Sequence, residues 1–522
     1  MKRNDVPILV ATAAWSFLFY EQSAGLNYFL FDLLLIILLL VRDAALLRRL
    51  TFIAAAAGCI VSSFFVFWYG TTLPYVANLI SLVALAGFSM DPESSFIIAW
   101  LQSFFSMCCV VIFMASDFIM RITSPRENST ESRAIQKVLL AIIPVVIFFV
   151  FFFIYRESNP IFDQLASRIN FDWLSAGWVL FTIGGFLLMY GFFRQRIAAS
   201  IQQRDHATPD DLAVITEEQD TFSQFANADN LVYTGVLLLI LLNGLLSVVN
   251  GLDVYYLGIA HRVPAGITYA QFLHNGTNAL ILSIILAISI ILFYFRGYLN
   301  FYGGNKWLKL LAHLWIAQNI ILVLSTCYRN YSYIASYGLT HKRIGVYVYL
   351  ALCIAGLVTT FIKILQAKNN WFLFRKNAWI MYAMLIAAVP VDWDTVIADF
   401  NISHFQEDKK MEIDQQYMVN LSHANLAQLF RFYIVENKSL KTREDSVQVA
   451  VAVTAPNAEA IMETIADPNI EIKKALWSNY LYLDRHYSKH DWQSTCISKD
   501  RNLTDIKEMI RTHHLTCPVS LR

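Results

Sequence analysis

The chain has 522 residues, 57% of them hydrophobic and 15% charged, with a net charge of +1 and a mean hydropathy of +0.48. That balance excludes an ordinary soluble protein. A near-zero charge without a basic stripe also excludes a nucleic-acid binder.

Apolar, aromatic-rich runs predict helices over roughly 7–20, 24–41, 50–68, 73–89, 96–120, 137–155, 174–193, 230–250, 275–295, 308–327, 344–362 and 377–391. Most are long enough to cross a hydrocarbon core of about 30 Å. The start, Lys2-Arg3 before the apolar stretch from Pro7 to Tyr20, has the shape of a signal peptide. Further apolar runs follow at once and no small-residue cleavage site intervenes, so a first membrane helix is the better reading. The fold class is therefore all-α, a polytopic membrane protein with about 11–12 helices in residues 1–392. A mainly helical, C-terminal soluble domain is expected over 393–522.

Charge supports that division. From Asn401 onward lie 31 of the 79 charged residues, nearly balanced in sign. In the loop 193–230, Thr208-Pro209-Asp210-Asp211 reads as the capped start of a short surface helix. In the tail, Ser422 caps a helix running to about Tyr433, with Leu426, Leu429, Phe430 and Tyr433 on its apolar face. Further helices are predicted near Ile470–Tyr487 and after Thr504, and Val447, Val449, Val451 and Val453 fit a strand or a helix equally.

Sidedness follows from span parity. Loops 121–137, 194–229, 296–309 and 363–376 share one side and hold fourteen Lys/Arg, while 156–173, 251–274 and 328–343 hold six. The positive-inside rule puts the first set in the cytoplasm and the tail outside. Arg42, Arg48 and Arg49 also favour the cytoplasm, yet three apparent spans separate them from loop 121–137. Either one of those spans is re-entrant or the rule fails locally, which leaves eleven and twelve crossings both open.

The densest polar grouping runs from Asn250 through Asp253, Tyr255 and Tyr256, followed by Tyr269, Phe272 and His274. A second holds Gln318-Asn319 and continues from Tyr328-Arg329 to Tyr337 and Thr340. A helix-end carboxylate in an aromatic belt, and amides joining helices, are the plain readings. The functional reading is a polar path, because ionisable groups at membrane depth are costly unless partnered. Asp253 and Arg329 fall on the same side and are expected to pair. Asp32 sits inside the second run with no partner evident in sequence, a hint of transport or proton relay that a neutral acid bonding a neighbouring helix would equally explain. His313 reads as an interhelical hydrogen-bonder.

His486, His490, Asp491 and Cys496 form a conceivable zinc set at no standard spacing, so no metal is expected. Most cysteines lie in or beside apolar runs, and only Cys496 and Cys517 could meet in the tail. The His-Glu-x-x-His, Gly-x-Ser-x-Gly and Walker patterns are all missing, and no catalytic residue or cofactor is predicted.

The second half resembles a bacterial multipass family known as domain of unknown function four-one-seven-three, with a related family numbered four-one-five-three. The resemblance rests on Asn159-Pro160-Ile161-Phe162, the Asn250-to-Tyr256 stretch, Leu314-Trp315-Ile316-Ala317-Gln318-Asn319 and Tyr328-Arg329. It extends through Tyr337-Gly338-Leu339-Thr340, Arg343, Trp393-Asp394, Ile397-Ala398 and Asn401, covering roughly 135–435. Relatives in the second family tend to carry an acid where this chain has Asn159. The resemblance implies location and architecture and assigns no substrate or catalytic residue.

The expected function is thus a non-enzymatic multipass protein of the bacterial inner membrane, transporter-like or a sensor/scaffold. The rival is a membrane enzyme acting on a lipid-linked substrate. Asn159, Asp253, Tyr256, His274, Gln318, Asn319, Arg329 and Tyr337 form the candidate polar site. The expected partners are membrane lipid and an envelope protein docking on the tail, with no nucleic acid.

Overall fold

In a computed structural model the described residues are 6–123, 144, 148, 151, 152, 154–156, 158–166, 175–196, 198–214, 227–256, 277–295, 297–407, 414–436, 470–487 and 491–517. Among them all regular structure is helical, and the one pairing outside helices is an isolated bridge between Asp211 and Lys368. The chain divides into two compact units, Met1–Asp205 with Lys489–Ile497, and His206–Ser488 with Ser498–Arg522.

The first unit holds α1 (Val6–Phe19), α2 (Leu26–Arg42), α3 (Leu50–Tyr69), α4 (Thr72–Met90), α5 (Phe96–Cys108), α6 (Val110–Thr123), α7 (Pro160–Ala166) and α8 (Ala176–Phe193), and most of α9 (Ala199–Ala207). Gly70 ends α3 with φ 63° and its N–H on the Val66 carbonyl, a left-handed cap that a side chain would strain. That tight turn lets α4 fold straight back on α3.

The run expected as one helix over 96–120 is two helices, bent by 72° where α5 meets α6. Both stay beside the end of α8. Ser103 and Ser106 on α5 bond Gln195 and the Arg196 N–H. Asp117 on α6 accepts from Tyr190 in the last turn of α8 at 2.7 Å and pairs with Arg196. Hydrogen bonds to the chain just past α8 therefore anchor the pair, and hydropathy alone carries no trace of them.

The second unit holds α10 (Ala228–Asp253), α11 (Thr277–Tyr294), α12 (Lys306–Tyr337), α13 (His341–Leu365), α14 (Asn370–Ala388), α15 (Trp393–Glu407), α16 (Gln415–Val419), α17 (Leu426–Phe430) and α18 (Ile470–Tyr487), together with all but the first residue of α19 (Ile497–Thr512). Leu239, Ile284, Ala287, Leu308, Trp315, Leu350 and Leu357 build its core from α10 to α13. On α10 the other face is open, with Ile240, Leu241, Leu245 and Val248 exposed. A continuous exposed apolar face of this kind is what lipid solvates.

Among the described residues six helices can cross a membrane by length and composition, or eight if each bent pair (α5–α6, and α14 with α15 at 63°) counts as one span. Shorter apolar helices are α1 and Leu282–Tyr294. The run predicted over 137–155 lies mostly outside the described residues, as do 447–453 and Tyr269, Phe272 and His274.

Three local expectations are corrected. Thr208–Asp211 starts no helix. It follows α9 and bonds the 366–369 turn instead, through Leu212 N–H on the Ala367 carbonyl, Asn369 N–H on the Asp210 carbonyl and Arg375 on Asp210. The helix capped at Ser422 is a 3-10 turn, a short α-helix and a π-turn over Arg431–Val435, not one regular helix. The last helix begins at Ile497, well before Thr504; its first turns carry few apolar residues and are held by Asn502, which bonds Ala424 and Ala427.

Candidate functional site

In the second unit α10 and α12 run parallel, because their partners ascend together. Asn243 donates to the Leu311 carbonyl at 3.1 Å, Gln318 to Ser247 at 3.1 Å, and Asn250 to the Gln318 carbonyl at 3.0 Å. The next rung is ionic: Arg329 pairs with Asp253, whose other oxygen accepts from Ser325 at 2.5 Å. Both side chains are nearly buried, 12% exposed for Arg329 and 7% for Asp253. Arg329 lies 23 residues beyond Lys306, about 35 Å along the axis at 1.5 Å per residue, so the pair falls near one face of a bilayer-sized slab. The expected pairing of these two residues is present.

Beyond that rung α12 continues as helix to Tyr337, ten residues past the predicted end, because Tyr328–Tyr337 is helical though not apolar. Gly338 breaks it, and Thr340 caps α13. Arg343 packs over the Tyr333 ring at 4.3 Å and donates to the Tyr337 and Gly338 carbonyls, while Asn330 donates to the Arg343 carbonyl. Asn401 on α15 clasps Leu339 from the other side.

The same turn presents His341. Its Nδ1 stands 2.8 Å from the Tyr417 hydroxyl, and its Nε2 stands 2.8 Å from Asp394 Oδ1. Burial opposes ionisation of Asp394, but the bonds from His341 and Ser422 outweigh it and hold the carboxyl below its ordinary range. Burial pushes the Tyr417 hydroxyl up, and the nearby Asp394 charge adds to that. His341 is 51% exposed at its side chain. An imidazole between a phenol and a buried carboxylate can pass a proton between them and the medium.

The sequence-predicted site residues divide between the units. Asp253, Arg329 and Tyr337 lie at the polar end of α10 and α12 in the second, with Gln318 about three turns earlier on α12. Tyr256 follows Asp253 on a short π-turn, its ring against Tyr255. Asn319 is buried but bonds its own helix at the Trp315 carbonyl, so it joins no second helix through that group. Asn159 belongs to the first unit, where its carboxamide accepts from the Ile161 and Phe162 N–H groups and caps α7. An aspartate would cap that helix as well as this asparagine. His274 lies outside the described residues.

Sequence reasoning missed His341 and Tyr417, which come from different elements and share no motif. It also missed Lys363, fully buried, whose ammonium bonds the Phe295 carbonyl at the end of α11. The conceivable zinc set does not assemble: His486 stacks on Tyr482, the Cys496 thiol faces the Trp68 carbonyl in the first unit, and His490 lies outside the described residues. Among the described residues no group of three or more His, Cys, Asp or Glu stands close enough to hold a metal. No disulfide joins Cys496 and Cys517.

An all-α chain with helices able to cross a membrane is thereby defined. Over residues 10–432 it matches the family described as a domain of unknown function (DUF4153), and it belongs to that family. That is the second of the two families it resembles in sequence, and the match takes in the N-terminal third as well. No curated protein and no solved structure gives a significant match.

Proposed function

We propose that the chain is a non-enzymatic multipass protein of the bacterial cytoplasmic membrane, transporter-like or a sensor/scaffold, with its Asp253–Arg329 end and its tail facing outward. The observation that carries this reading is how the polar groups at that end are engaged. Asp253 is held by Arg329 and Ser325, Asn250 and Gln318 by the facing helix, and Asn401 by Leu339. These bonds fix helix positions, while Asn250 Oδ1 and Gln318 Oε1 keep no partner among the described residues.

Outward placement is supported by the Lys/Arg distribution. In the first unit Arg42 bonds the Phe193 and Ser89 carbonyls, and Arg49 pairs with Glu93, so the basic residues gather where α2, α4 and α8 end. With α5 and α6 returning to that end as a re-entrant pair, the conflict in span parity disappears, and Arg42, Arg48 and Arg49 share a side with loop 121–137.

The rival reading, an enzyme acting on a lipid-linked substrate, is favoured by one feature, the Tyr417–His341–Asp394 array with its half-exposed imidazole. Mass spectrometry of the purified chain separates the two. Ordinary membrane phospholipid alone is expected; a stoichiometric isoprenoid-linked species that is lost in His341→Gln would establish the enzyme instead.

A further inference from the structure

The first unit contains a buried acid that the face in the second unit does not involve. Asp32 is 1% exposed, about 9 Å along α2 from Leu26 and about 15 Å from Arg42. One carboxylate oxygen, Oδ2, accepts from Asn78 at 2.5 Å, and Ser63 also bonds the carboxylate. Asn78 reaches Ser62 as well, at 3.2 Å. The other oxygen, Oδ1, has no hydrogen-bond partner among the described residues, and no ion pair reaches the group. A buried ionised carboxylate with no counter-charge costs several kcal/mol or more, and protonation removes that cost.

The ionisable groups around it form a series toward one end of the unit. On α2 itself, Tyr28 lies one turn nearer that end and is close enough to interact electrostatically with Asp32. From α4, Tyr75 packs edge-on against Tyr28, with ring centroids 5.6 Å apart. From α3, Cys59 is close enough to interact electrostatically with Asp32, and α1 has no ionisable side chain. Tyr75 in turn is within electrostatic range of Cys496, on the piece of tail that belongs to this unit. That piece seats firmly: the Thr495 carbonyl accepts from the Leu26 N–H at 2.9 Å, and Gln22 bonds both Asp491 and Ser494.

We propose that Asp32 is a protonation site, exchanging one proton between Oδ1 and the medium past Tyr28 and Tyr75, beneath the 491–497 segment. On uptake an O–H bond forms at Oδ1 and hydronium is left as water; release reverses this. A metal cation fits less well. Hard cations take several oxygen ligands, whereas here the Asn78 amide points its N–H groups at both Asp32 Oδ2 and the Ser62 hydroxyl.

Infrared difference spectroscopy on the full chain in lipid tests this. The site predicts one carboxylic-acid C=O band that disappears as pH rises, is indifferent to sodium, and is absent in Asp32→Asn. Should that variant fail to fold, Asp32→Glu must give a titrating band at a displaced frequency. In Tyr75→Phe the exchange of that band in heavy water should slow several-fold, and an unchanged rate would overturn the route. A wild-type titration identical to that of Asp32→Asn, a band that never titrates, or loss of the band on adding sodium at fixed pH would overturn the site.

Discussion

Asn401 grips Leu339 at both of its backbone groups: Oδ1 accepts the Leu339 N–H at 2.6 Å, and Nδ2 donates to the Leu339 carbonyl at 2.9 Å. One side chain thus satisfies a backbone pair at the turn between α12 and α13, and does so 1% exposed. Asn401→Ala leaves both groups unpartnered, which should destabilise the second unit by about 2–4 kcal/mol. Asn401→Asp keeps the acceptor but sets a buried carboxylate oxygen against the Leu339 carbonyl, and at neutral pH should cost at least as much. Thermal unfolding in detergent should rank the wild type above both variants; equal midpoints would contradict the clasp.

The Asp253–Arg329 pair makes a second prediction. Removing one partner strands a nearly buried charge, and breaking a buried pair in this way costs about 3–5 kcal/mol. Asp253→Ala and Arg329→Ala should each lower stability by that order. The exchange Asp253→Arg with Arg329→Asp should recover more than either reversal alone. A double variant no better than the single ones would show that the two side chains do not interact.

Much of this architecture was legible because membrane helices announce themselves by length and hydropathy. The boundaries of α18 fall where its amphipathic pattern places them, and the ionic rung between α10 and α12 follows from span parity. What hydropathy misses is bonding between distant segments. The α5–α6 bend depends on Gln195 and Arg196, which lie about ninety residues further on. Likewise His341, Asp394 and Tyr417 meet only because α13, α15 and α16 bring them together, and no spacing along the chain encodes that.

Acid should loosen the tail helices of the second unit. Burial, reinforced by the Lys499 charge, lowers the affinity of His423 for a proton relative to the exposed value of 6.5. The open state therefore protonates first, and stability that is complete above that value falls as pH drops through it. Amide protection over 415–435, taken relative to intrinsic exchange at each pH, should fall below about pH 6.5 in the wild type. In His423→Gln that protection should stay nearly flat, and identical pH profiles would remove His423 as the cause.

Gly25 is where the tail segment meets α2. Its φ of −175° suits any residue, but a Cβ there would lie 2.3 Å from the Thr495 carbonyl oxygen. Gly25→Val should therefore unseat 491–497 and expose Cys496, which is fully buried in the native chain. With the other cysteines removed, thiol labelling should rise from near zero to rapid in the variant. Persistent protection would mean that the segment seats without this contact.

The placement of the polar end and the tail outside the membrane is tested most directly by single cysteines in a cysteine-free background, treated with an impermeant thiol reagent on intact cells. Ser158, Gly266, Ser336 and Ser446 stand in segments assigned to the outside, and Gly303 in a loop assigned to the cytoplasm. The account predicts labelling at the first four and protection at Gly303. A split among the four would break the span count, and protection of all four with labelling at Gly303 would reverse the orientation.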